Sequence, residues 1–188
     1  MKNPLLLELP ESLHTSNLRL SLPRAGFGPP MFDSIGASLP ELERWQAWAQ
    51  SPPTLEECEL ECRTEIARIA ARTALIYHLF TQGDAVFVGE IGFSVIDWTL
   101  RKFELRFWLD SRFTGRGFMT EAAQALTDFA FESLEARRAF MLCDSRNKAA
   151  RRVAEKCGFA LEAILQNNAL DVRDSSAWVD ECVYARVE

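Results

Sequence analysis

A strand-like run from Phe103 to Leu109 leads through Arg112-Phe113-Thr114-Gly115-Arg116-Gly117 into a helical pattern that begins Phe118-Met119-Thr120-Glu121-Ala122. This succession of strand, glycine-bearing turn and helix constrains the chain more than any other passage. The first turn of a helix carries N–H groups without intrahelical acceptors, and the helix dipole adds partial positive charge there. A phosphate or pyrophosphate is the natural guest. Gly115 and Gly117 let the backbone adopt left-handed φ and come close to a ligand without a Cβ in the way. Arg112 and Arg116 add positive charge and donor forks. Two better-known phosphate patterns are absent, since there is neither G-x-x-x-x-G-K-S/T nor G-x-G-x-x-G at the required spacing. An NTPase or a dinucleotide enzyme is therefore not expected. Taken alone, the loop fits a tight connection as well as a phosphate cradle.

The rest of the chain supplies the frame. Asn17 to Leu22 alternates polar and apolar residues as a half-buried strand does. Gly26 to Gly36, with three glycines and two prolines, reads as irregular. Ser38-Leu39-Pro40-Glu41 reads as the start of a helix carrying Leu42, Trp45, Trp48 and Ala49 on one face, stopped by Ser51-Pro52-Pro53. Thr54 with Glu57 three residues on opens a longer helix to about Thr73. Ala74–Thr81 and Ala85–Ile96 flank a Gln82-Gly83-Asp84 turn and predict an antiparallel hairpin. Strand Lys102–Leu109, helix Phe118–Ser133, strand Ala139–Cys143 and helix Asn147–Lys156 follow, the last ended by Gly158. Two final strands are expected near Phe159–Leu165 and Ala177–Val187. The order β-α-α-β-β-β-α-β-α-β-β implies an α/β fold of the mixed α+β kind: a mostly antiparallel, six- to seven-stranded sheet with about four helices on its faces.

At 188 residues, with 48% hydrophobic and 26% charged residues, the chain suits one domain over 1–188, with 1–16 as a flexible extension. A net charge of -6 and a pI near 5.1 argue against nucleic acid and anionic membranes, which need a basic surface. No apolar run has the length of a membrane span, and the N-terminus has too short an apolar stretch for a secretory signal, so a cytoplasmic protein is expected. Five scattered cysteines, Cys58, Cys62, Cys143, Cys157 and Cys182, form no disulfide framework. The only histidines, His14 and His78, are not in ligand spacing with them, so no metal is expected and the thiols read as small apolar side chains.

Three separated passages carry a family resemblance: Phe103-Glu104-Leu105-Arg106-Phe107-Trp108-Leu109-Asp110, the loop Arg112–Gly117 with the helix behind it, and Cys143-Asp144-Ser145-Arg146-Asn147 through Arg151-Arg152 to Gly158-Phe159. Leu39–Thr54, with its two tryptophans, adds a looser match. In this order they resemble the GNAT acyltransferase superfamily, within it the RimJ/RimL group of protein N-acetyltransferases. The resemblance implies acetyl-coenzyme A as cofactor. Its pyrophosphate would lie on the N–H groups from Thr114 through Gly115, Arg116, Gly117 and Phe118, with Arg112, Met119 and Thr120 also in the binding region. Its pantetheine arm would pair with the backbone of Phe107, Trp108 and Leu109 where the middle strands splay, and Asn147 would contact it from the far side. The activity implied is transfer of acetyl to a protein N-terminal α-amine or a small amine by direct attack in a ternary complex. The pattern departs from the family at two places: Ala154 stands where many members carry a tyrosine, and Ala150 where the RimJ/RimL group often has a serine. Glu90 and Glu104 are then the carboxylate candidates for proton transfer, and Cys143 a candidate beside the coenzyme sulfur. Without the usual hydroxyls, an acyl-coenzyme A-binding sensor is the alternative. Trp45, Trp48 and Phe32 are candidates for an acceptor pocket, and Trp98 for a partner or homodimer contact.

Overall fold

The computed structural model describes residues 3–187. Eight strands and four α-helices follow in the chain order β1 (Ser12–His14), β2 (Leu18–Ser21), α1 (Gly28–Leu42), α2 (Leu55–Ala70), β3 (Leu75–Thr81), β4 (Phe87–Asp97), β5 (Lys102–Leu109), α3 (Phe118–Ser133), β6 (Arg138–Asp144), α4 (Lys148–Lys156), β7 (Ala160–Leu170) and β8 (Trp178–Val187). The strands form one sheet in the order β1-β2-β3-β4-β5-β6-β8-β7. Every neighbouring pair is antiparallel except β5 and β6. That parallel pair is short: Lys102–Glu104 face Arg138–Phe140, and beyond them the two strands have no register partners in each other. The sheet therefore opens toward the C-terminal ends of β5 and β6.

Strand alternation sorts side chains between two layers. Leu75, Tyr77 and Leu79 of β3 join Phe93, Phe103 and Leu105 in a cluster with Ala122, Leu126 and Ala130 of α3. Phe80 of β3, Phe87 and Trp108 face the other way, against Met31 and Ile35 of α1 and Cys58 and Cys62 of α2. No helix among the described residues is long and apolar enough to cross a membrane. All five cysteines are free and buried.

Two elements differ from the sequence expectation. Gly26–Gly36 is not irregular, because Pro29 and Pro30 occupy the first helical turn, where a missing N–H costs nothing and the fixed φ suits a helix. The helix so begun takes its N-terminal cap from outside: the Glu59 carboxylate on α2 accepts from the N–H groups of Gly26 and Gly28 at 2.9 and 3.2 Å. Helix α1 ends at Leu42, so Trp45 lies in a turn and Trp48 in a one-turn 3-10 helix, Ala47–Gln50, and not on a continuous helix face. The segment expected as an N-terminal extension contributes an edge strand, with Leu13 opposite Leu20. Helix α2 opens as read, with a reciprocal Thr54–Glu57 capping box.

Candidate active site

The loop after β5 is fixed from beneath by α1. Asp110 is fully buried and accepts hydrogen bonds from the Ser34 hydroxyl at 2.7 Å, the Arg112 N–H at 2.8 Å and the Arg112 guanidinium at 2.6 Å. Ser38, also fully buried, accepts the Ser111 N–H at 2.8 Å. Burial alone would raise the Asp110 carboxyl, but the hydrogen bonds from Arg112 and Ser34 outweigh it and hold it below the usual range. The Arg112 guanidinium, also 2.9 Å from Asp33, is thus occupied in holding the loop. Arg116 is exposed, with its guanidinium over the Phe113 ring at 5.0 Å.

The loop turns through left-handed residues at Gly115 (φ 76°) and Gly117 (φ 83°), the latter the N-cap of α3. The first helical bond runs from the Glu121 N–H to the Gly117 carbonyl, so Phe118, Met119 and Thr120 have no intrahelical acceptor. Among the described residues, none of the N–H groups from Gly115 to Thr120 donates to a protein acceptor. A Cβ at Gly115 or Gly117 would meet no atom within 4 Å. A row of unengaged donors facing open space at a positive helix end fits a pyrophosphate. Met119 is buried in the core and Thr120 half-buried, so these two offer backbone N–H groups more than side chains.

Between the splayed ends of β5 and β6 lies a cleft of about 320 Å³. Its wall on β5 includes Arg106, Phe107 and Trp108, and its wall on β6 includes Cys143 and Asp144, with Asn147 and Ala150 beyond. The Phe107 carbonyl receives only a long contact, 3.5 Å, from the Gln46 amide. Asn147 caps α4 through its Oδ1, which accepts from the Ala150 N–H at 3.0 Å. Its amide NH2 group makes no bond among the described residues. The glycine loop and Asn147 thus follow the C-terminal ends of β5 and β6, on either side of the opening. The Trp108 ring packs against Phe87 and Trp48, and Trp108 stands opposite Glu90 of β4 in register.

The three proton-transfer candidates do not converge. Glu104 stands opposite Val95, four residues along β5 from the Trp108 that faces Glu90. It is held by Arg106 at 2.6 Å and is absent from the cleft wall. Cys143 does line the cleft, opposite Cys182 on β8, and burial pushes its thiol up to about 12, so it stays protonated. Ala150 and Ala154 are buried and bring no hydroxyl. Glu90 borders both the cleft and an adjoining cavity of about 540 Å³ under α1 and α2, in company with Glu61, Trp48 and Trp108. Trp45 also lines the cleft. Phe32 is exposed and lines neither space. Trp98 is not an exposed contact residue: its indole N–H donates to the Arg72 carbonyl at 2.7 Å and its ring packs edge-on to Phe103.

Sequence reasoning missed what stands behind Glu90. His78 on β3 lies opposite Glu90 in register. His78 Nε2 is 2.8 Å from Glu65 Oε2 on α2 and 3.9 Å from Glu90 Oε2. Glu65 and Glu90 are hydrogen-bonded to each other. The fold also brings Cys62 beside Glu65 and His78, their ligand-type atoms within 4.8 Å of one another, a proximity the linear spacing concealed. Burial pushes the Cys62 thiol up to about 12 and lowers His78, whose Nε2 is engaged with Glu65. A sequence signal existed: Glu65 falls on the buried stripe of α2, with Cys58, Cys62 and Ile69, at spacings of four, three and four.

A family profile described as "Acetyltransferase (GNAT) domain" matches residues 22–160. The probable N-acetyltransferase YjcK of Bacillus subtilis is 34% identical over 112 residues, 58% of this chain and 60% of the relative, so the chain spans less than two thirds of that protein. The ribosomal-protein-serine acetyltransferase of Escherichia coli is 27% identical over 158 residues, 84% of this chain and 86% of the relative. Among solved structures, RimL, a ribosomal alpha-N-protein acetyltransferase in complex with coenzyme A, superposes with a TM-score of 0.87 at 24% identity, covering 94% of this chain and 98% of that one. The microcin self immunity acetyltransferase MccE, in complex with acetyl-CoA and AMP, gives 0.87 at 20% identity, covering 96% and 98%. With the sheet splayed between β5 and β6 and the family profile matched from β2's end to the start of β7, the chain belongs to the acetyltransferase (GNAT) domain family.

Proposed function

We propose that this chain is an acetyl-coenzyme A-dependent N-acetyltransferase that acts on a primary amine, a protein N-terminal α-amine or a small-molecule amine, by direct attack in a ternary complex within the cytoplasm. The observation that carries the reading is the row of free N–H groups from Gly115 to Thr120, placed where β5 and β6 part. These groups would hold the pyrophosphate, with Arg116 as the exposed cation beside them. The free edge of β5 at Phe107–Leu109 and the Asn147 amide would hold the arm in the cleft. When bound, the coenzyme supplies an acetyl group already activated as a thioester.

The protein's share is positioning and proton management. Trp45 and Trp48 present aromatic surface, and Glu61 and Glu90 present carboxyl groups, to an incoming ammonium. Glu90 is the residue that would take its proton, because it alone of the named candidates joins the cleft to a buried acidic pair. Glu104, tied to Arg106, is better placed to stiffen β5. Cys143, held as a thiol, could donate a hydrogen bond beside the splay but is no nucleophile at neutral pH.

Kinship to proteins described as acting on ribosomal proteins favours the protein N-terminus over a small amine. Release of free coenzyme thiol with a panel of N-terminal peptides and small amines, alongside calorimetry of coenzyme binding, tests the reading. Binding without turnover on any amine would replace it with an acyl-coenzyme A sensor, a role that the missing hydroxyls at Ala150 and Ala154 would permit.

A further inference from the structure

We infer that Glu65 and His78 are positioning residues for Glu90, and that the three form a buried carboxyl–carboxyl–imidazole unit that lets Glu90 accept a proton from an ammonium in the cleft at neutral pH. The inference rests on the reading of Glu90 as proton acceptor and deepens it.

The geometry is specific. His78 is fully buried and Glu65 is 2% exposed, whereas the Glu90 side chain keeps 22% exposure, toward the cleft. His78 is thus sealed behind the pair, while both carboxyl groups border the cleft and Glu90 is the more exposed of the two. His78 Nε2 binds Glu65 at 2.8 Å, and Glu65 in turn bonds Glu90. Two carboxyl groups in hydrogen-bond contact must share a proton, because two bare carboxylates repel and neither can donate. The imidazole holds Glu65 in place from behind and offers a second polar contact to Glu90 at 3.9 Å. His78 Nδ1 has no partner among the described residues, so its only observed polar contacts are to this pair.

The surroundings favour retention of the shared proton. From α2, Glu61 adds negative charge and Arg68 positive charge, while the buried Cys62 thiol stays protonated. Elsewhere around the cleft stand Arg44, Arg106, Asp144 and Glu181. Arg68 is directed to the Ser94 carbonyl at 2.9 Å and Arg106 to Glu104. Burial, then the charge of Glu65, raises the Glu90 carboxyl, and burial pushes Glu65 up to about 8 while lowering His78. An α-amino group titrates at roughly 7.7–8.0. Raising the Glu90 carboxyl brings it toward the range of the amine, the direction that favours proton transfer near neutral pH.

In the transfer an N–H bond of the ammonium breaks and an O–H bond forms on Glu90. The pair goes from one shared proton to two, and the amine nitrogen gains its lone pair. Glu90 then returns the proton to solvent through the cleft.

Carboxyl 13C titration of the full chain labelled at glutamate, read without substrate, is paired with the pH profile of thiol release for the wild type, Glu65→Gln and His78→Gln. The expected result is a coupled titration of Glu65 and Glu90 whose lower step, the uptake of the second proton, lies above the ordinary carboxylate range of about 4.3. In Glu65→Gln the Glu90 step should fall by at least about one unit, since the carboxamide donates to a carboxylate and carries no charge. The acidic limb of kcat/KM should move down with it, and His78→Gln, which keeps a donor, should shift both less. An ordinary carboxylate titration for Glu90 in the wild type overturns the inference, as does an equal rate loss at every pH with the Glu90 step unmoved. If Glu65→Gln does not fold, the wild-type titration alone decides. Failure to release thiol with any amine would instead refute the acetyltransferase reading, and the titration separates the two because it needs no turnover.

Discussion

Replacement of Gly117 by alanine separates the loop's conformational role from its ligand role. Gly117 has φ 83° and ψ -2°, left-handed values that cost an L-residue roughly 1–2 kcal/mol. Alanine also restricts the unfolded chain, which returns about 0.4–1 kcal/mol. A net loss of about 1 kcal/mol follows, a fall in Tm of about 2–4 °C for a chain of this size. No steric term is added, since a Cβ there meets nothing within 4 Å. That open space is the volume the pyrophosphate would fill. A methyl group in it should cost one or two charge-assisted bonds from the N–H row, each about 1.5–3 kcal/mol, hence roughly a tenfold to hundredfold or greater rise in Kd for coenzyme A. Gly83 provides the control. It has φ 85°, also faces open space and lies in the turn between β3 and β4. Gly83→Ala should lower Tm by a similar amount and leave Kd unchanged. Thermal unfolding and calorimetry on both variants give the comparison. Equal effects of the two on Kd, or a Gly117→Ala protein that binds as tightly as the wild type, would refute the reasoning.

Four further outcomes follow from the same contacts. Glu90→Gln should lower kcat by about 10²–10⁴-fold while calorimetry shows coenzyme affinity unchanged, because Glu90 handles the acceptor's proton only. Asp110→Asn should cost about 1.5–3 kcal/mol in urea unfolding near neutral pH, a figure kept modest because the Arg112 side chain is 46% exposed and stays hydrated. The Asp110 carboxyl is held low in the fold, so its contribution is complete above the unfolded value of about 3.9 and disappears as pH falls through the folded value; the difference between wild type and variant should close at the acid end. Glu65 has the opposite sign. Its carboxyl is raised to about 8, so its contribution is complete below about 4.3 and lost as pH rises through the folded value, and Glu65→Gln should flatten the decline of stability between those limits. Leu126→Ala, at a fully buried position of α3, should cost about 2–5 kcal/mol by chemical denaturation.

The parts of the fold that sequence discloses are those governed by local signals. The boundaries of β5 and α3 were readable because alternation stops at Leu109 and a helical period starts at Phe118, with glycines between. Helix α1 was not readable for a local reason with a nonlocal remedy: Pro29 and Pro30 look like breakers, and the cap that makes them a helix start comes from Glu59 on α2. Ser38 suggested a cap at a helix start, yet it sits inside α1 and its hydroxyl accepts from Ser111, a contact made only when α1 packs under the loop. The row of N–H donors was legible as a glycine pattern. The unit behind Glu90 was not, since His78 and Glu65 belong to different elements, and only the placement of an acid on the apolar stripe of α2 hinted at it.

The central claim is that the free N–H groups after β5 receive the pyrophosphate and that the opening between β5 and β6 receives the arm. Amide 1H–15N spectra of the full chain titrated with coenzyme A test it directly. Large, saturable shifts at Gly115 to Thr120 and at Phe107 to Leu109, with Asn147 responding and Gly83 still, are the predicted result. Saturable binding that leaves the amides from Gly115 to Thr120 unmoved, or no binding at all, would contradict it.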